Sequence, residues 1–68
     1  MSYLTPTEHD QRWDLSSELW TVSEELAIDG KPCNAEACAQ LAIAVKNGEA
    51  NILLAQGLLG HYENMIGA

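Results

Sequence analysis

Two cysteines, two histidines and ten carboxylates are the side chains of this 68-residue chain that could bind a metal or move a proton. Cys33 and Cys38 stand five positions apart, which is not the C-x-x-C spacing of redox or zinc sites. Cys33 is expected to be a loop thiol and Cys38 a small core residue; a disulfide between them, or to a second copy, is the alternative. His9 and His61, with Glu8 and Glu63 nearby in sequence, could bind a metal or relay protons if the fold brings them together. Polar side chains at helix ends look the same in sequence, so the simpler reading is solvated residues. No Ser/His/Asp arrangement, glycine-rich phosphate loop or H-E-x-x-H helix occurs. The expectation is a protein that is not an enzyme and has no catalytic residues, cofactor or metal.

The carboxylates and tryptophans carry more pattern. At about 100° per helical residue, Asp10, Asp14, Glu18, Glu25 and Asp29 fall on one stripe. Carboxylates at i, i+4 spacing lie about 6 Å apart, loosely like phosphates along a strand. The stripe could therefore imitate nucleic acid toward a basic protein, although a solvated face explains it equally simply. Trp13 and Trp20, seven apart, either bury themselves in an interface or anchor a partner, as tryptophans in binding hot spots do. The expected partner-binding set is Trp13, Trp20 and Tyr62 with Asp10, Asp14, Glu18 and Glu25. Arg12 and Lys31 follow no pattern.

These residues must be positioned by helices. In TPTE, Thr5 suits an N-cap, Pro6 the first helical position, and Glu8 completes a capping box. Leu15, Leu19, Val22 and Leu26 then recur at spacings of 4, 3 and 4, an apolar stripe. Gly30 supplies a left-handed C-cap and Pro32 blocks continuation. The first helix is thus expected over about 6–29. Ser16 and Ser23, between the leucine and tryptophan faces, are small enough to let another helix approach. The apolar arc is wide enough for two neighbours.

The second helix is expected from an Asn34 N-cap to about residue 66. Its seam reads Cys38, Leu41, Val45, Gly48, Ile52, Ala55, Leu59, Tyr62 and Ile66, alternating spacings of 3 and 4. That register passes through VKNGEAN, although Asn-Gly is a strong turn signal. The periodicity predicts one continuous or mildly kinked helix with Gly48 on a packed seam. The alternative is a break near Gly48, with Asn51 capping a third helix. In the continuous form a KPCN loop folds the two helices, about 36 Å and about 48 Å long, into an antiparallel hairpin. Both histidines then lie more than about 25 Å from the cysteines, and the overhanging end carries Leu59, Tyr62, Met65 and Ile66.

Composition sets the remaining limits. The chain is one domain, 1–68, with 1–5 as a short N-terminal extension. A net charge of −7 with three basic residues argues against direct nucleic-acid binding and against an anionic membrane surface. Its first ten residues lack the charge and apolar block of a signal peptide, so the expected location is the cytoplasm. Small chains bury too little surface to be robust alone, and a lone hairpin would leave an apolar patch exposed. The expectation is an all-α homodimer, two hairpins forming a four-helix bundle held by Leu15, Leu19, Val22, Leu26, Leu41, Val45, Gly48, Ile52 and Leu59. Its expected function is protein binding: inhibiting, sequestering or adapting a partner protein, with a basic surface as one option for that partner. Acidic mimicry of nucleic acid, or a subunit role in a larger complex, is the alternative.

Overall fold

A computed structural model describes residues 6–67, with side chains from His9 onward. It is all-helical: α1 (Pro6–Ile28), α2 (Pro32–Lys46) and α3 (Ile52–Met65), each packed against the other two. The Thr5–Glu8 capping box and the 1–5 extension lie outside the described residues.

The same device ends α1 and α2. Gly30 takes φ +82° and Gly48 takes φ +78°, left-handed conformations that cost glycine nothing sterically. After each glycine an N–H reaches back five residues, from Lys31 to Leu26 O (2.9 Å) and from Glu49 to Ala44 O (2.8 Å). The chain resumes at Asn51, whose Oδ1 accepts a hydrogen bond from the Leu54 N–H at 3.1 Å, the N-cap of α3.

This corrects the simple hairpin and the 34–66 helix. Gly48 is an exposed turn residue, not a seam position. The start of α2 also moves, because Pro32 occupies its first turn with Lys31 as N-cap. A proline there gives up only an N–H that has no helical partner anyway. Asn34 therefore lies inside the helix, and so does Cys33, which is not in a loop.

With the break, α3 does not overhang. It folds back along α1 in the same direction, so the topology is up-down-up. Its far end is tied to the end of α1 by the Gly67 N–H donating to Asp29 Oδ2 at 3.2 Å. The core is Leu15, Leu19, Val22 and Leu26 from α1, Ala35, Cys38, Ala42 and Val45 from α2, and Ala55 and Leu59 from α3. Leu41, Ile52, Tyr62, Met65 and Ile66 pack half-buried around it. Burying each large aliphatic side chain contributes roughly 1.5–3 kcal/mol.

The α2 face toward α1 is mostly small residues, so the two backbones come close enough for side chains to reach across. Ser16 donates to Ala42 O (2.8 Å), Ser23 to Ala35 O (2.7 Å), and the Cys38 thiol to Leu19 O (3.1 Å). A helical carbonyl has a second lone pair for such a bond, and each polar group is thereby buried without going unpaired.

Candidate functional site

The residues with chemical potential are dispersed. Cys33 is exposed and Cys38 is buried, both as free thiols, and burial pushes the Cys38 pKa up from its ordinary value. Among the described residues, no group of three or more His, Cys, Asp or Glu side chains could hold a metal ion. The two histidines do not meet. His9 stands near the start of α1, whereas Glu63, two residues past His61, lines a groove with Glu18, Val22 and Glu25. By helix rise the histidines are about 15 Å apart along the bundle. Their expected placement at one end depended on the long second helix, and the turn at Gly48 removes it.

Trp13 and Trp20 remain half in solvent, at 45% and 42% exposure. Seven residues apart, they share one face of α1, on the flank away from α3. Trp13 is fixed there: its indole N–H donates to His9 Nε2 at 2.8 Å, and the Lys46 ammonium lies 4.5 Å from the ring centroid. Ile43, one turn before Lys46 on the same side of α2, is also half exposed. The flank is thus an aromatic and aliphatic surface that the bundle does not cover.

Tyr62 belongs to a different place. It is half-buried on α3 against the core, across the bundle from the tryptophans. The acidic residues Asp10, Asp14, Glu18 and Glu25 are exposed, but α3 runs along the edge of their stripe. Glu18 and Glu25 rim an open groove with Glu63 and Ile66, and Asp14 and Glu18 border Gln56 and Leu59. Asp29, at the end of the stripe, pairs with Lys31; that contact and the Gly67 N–H hold its carboxyl below the ordinary value. The expected partner-binding set therefore divides into a tryptophan flank and an acidic groove.

Two further features stand out, and the first, the placement of Arg12, was not anticipated from the residues. Arg12 is buried, and its Nη1 donates to both Val45 O (3.1 Å) and Ala50 O (2.9 Å). It satisfies a carbonyl of the last α2 turn and clasps the connection to α3. The signal was present: extending the stripe of Leu15, Leu19, Val22 and Leu26 back by three residues lands on position 12. The other feature is the outer face of α3, where Leu53 is 78% and Leu54 67% exposed. No described helix is long and apolar enough to cross a membrane.

A family model described as a domain of unknown function, DUF7273, matches residues 4–68, and the chain belongs to that family. Comparison with curated proteins and with solved structures gives no match.

Proposed function

We propose that this member of the family is a non-enzymatic protein-interaction module. It works in the cytoplasm as a homodimer of three-helix protomers and inhibits, sequesters or adapts a partner protein. The observation that carries this reading is the uncovered pair Trp13 and Trp20. Tryptophan is costly to leave in water and is enriched where binding energy concentrates. The His9 and Lys46 contacts hold Trp13 in one orientation before any partner arrives, which lowers the entropic cost of binding.

A second reading is supported by the acidic groove, where Glu63 joins Glu18 and Glu25. In it the chain occupies the basic nucleic-acid site of its partner. Affinity capture from the source cell lysate, with wild type beside Trp20→Ala and Asp14→Lys/Glu18→Lys, separates the two. Loss of the captured protein with Trp20→Ala, and little change between low and moderate salt, is the expected result. Capture that ignores Trp20→Ala but fails with the lysine pair and with salt would replace the first reading by the second.

A further inference from the structure

We infer that the outer face of α3 pairs with α3 of a second copy, antiparallel, about a two-fold axis passing between Gly57 and Gly60. The inference rests on the homodimer reading above and gives it an interface.

Three observations converge on this helix. The first is apolar exposure, since Leu53 and Leu54 are the most exposed leucines of the described chain. The second is charge. The chain carries ten acidic residues, yet only Glu63 falls within α3, and it borders the groove against α1. A second copy brought against α1 would set Asp10, Asp14, Glu18 and Glu25 against like charges. The outer face of α3, like that of α2 with its single acid Glu36, is a place where two such acidic chains can meet without that repulsion, and the exposed leucines and the glycines select α3. A basic partner, in contrast, would be drawn to α1.

The third observation is glycine without a reason inside the protomer. Gly30 and Gly48 need a left-handed backbone, but Gly57 and Gly60 lie within α3 at ordinary helical φ. A Cβ built at either position meets nothing within 4 Å, so the bundle itself would accept alanine, the better helix former. Missing side chains on an outward face make room for a second backbone.

The positions fit a two-fold. Helix α3 spans 52–65, so its midpoint falls between residues 58 and 59. Gly57 and Gly60 are equidistant from it, as are Leu53 and Asn64. An isologous antiparallel contact therefore sets Gly57 against Gly60 of the other copy, and Leu53 beside the other copy's Gly60 and Asn64. The contact strip is about 21 Å by about 10 Å per copy, small beside the roughly 800 Å² per partner of standard interfaces. Pairing is accordingly weak and concentration-dependent.

Sedimentation equilibrium on the full chain, from about 10 μM to about 1 mM, tests this with wild type, Leu53→Lys and Gly57→Ala/Gly60→Ala. Circular dichroism of each confirms the fold. The expected result is a reversible wild-type dimer that Leu53→Lys abolishes. The alanine pair should weaken it at least about tenfold, while melting of the dilute monomer moves to higher temperature. A wild-type dimer indifferent to Leu53→Lys or to the alanine pair overturns the α3 interface and leaves the homodimer standing. A wild-type monomer throughout the range overturns both.

Discussion

Between α1 and α2, two serine hydroxyls and a thiol donate to backbone carbonyls of the facing helix across a seam of alanine and leucine. Helix α3 is attached to the same pair through Ala55 and Leu59, and leaves Leu53 and Leu54 in solvent. The first seam is directional, because each hydrogen bond fixes both a distance and a register. The second is apolar contact along its length, which tolerates sliding, with polar ties at its two ends, Arg12 to Ala50 O and the Gly67 N–H to Asp29. An acidic chain of 68 residues can thus be specific where its fold is decided and still leave apolar surface exposed on its third helix.

The strongest way to break this contrast is at Leu19, fully buried beneath both neighbouring helices. Leu19→Ala should cost about 3 kcal/mol, against a total of roughly 3–10 kcal/mol for a domain of this size. Thermal melting followed by circular dichroism should show a chain largely unfolded by 37 °C, with both seams lost together. Survival of a stable α1–α2 pair would show that the seams are independent.

Arg12→Leu attacks the link between the seams. Removing two charge-assisted bonds should cost about 2 kcal/mol. Amide hydrogen exchange should accelerate more in α3 than in α1 or α2, because the clasp at Ala50 is the polar hold on the connection. Uniform acceleration would contradict the contrast. Gly48→Ala should destabilise by about 1 kcal/mol, since alanine is strained at positive φ. In a continuous helix the same change would stabilise, so the sign of the shift in a urea melt decides between the two backbones.

That last test marks where the sequence was legible and where it was not. The first helix could be read over about 6–29, against Pro6–Ile28 in the structure, because local chemistry and periodicity agreed. At Gly48 they disagreed: the turn residues and the Asn51 cap pointed to a break, while the alternating spacing ran straight through. Spacing across a turn carries no phase information, because α3 needs only its own apolar face. Gly48, having no side chain, fits any stripe. The local signals were the physical ones, and the same glycine device ends α1 at Gly30. The wide apolar arc on α1 did foretell two neighbours, although both come from one chain. Arg12 follows no pattern among the charges, and its burial is legible only from its place on the leucine stripe.

The smallest effect distinguishes the thiols. Cys33 should alkylate within minutes under native conditions, and Cys38 only as the chain opens, measured by mass shift with and without denaturant. Because burial raises the Cys38 pKa above its ordinary 9.0, the folded state favours the neutral thiol. Its contribution to stability is complete below that ordinary value and is lost as pH rises through the folded pKa. Replacing Cys38 by Ala should remove that alkaline limb from the pH dependence of unfolding.

The serine contacts between α1 and α2 also act as a ruler. Ser16 and Ser23 are seven residues apart, and so are their acceptors Ala42 and Ala35. The two rungs therefore lie in a single antiparallel register. A slide of α2 by one turn would still set small residues against leucine, so apolar packing alone could accept the error. It would hand both hydroxyls to carbonyls one turn along, but it would pull Val45 away from Arg12. Two serines in an apolar seam thus allow only whole-turn offsets, and Arg12 on Val45 O and Ala50 O selects among them. They make the fold unique more than they make it strong.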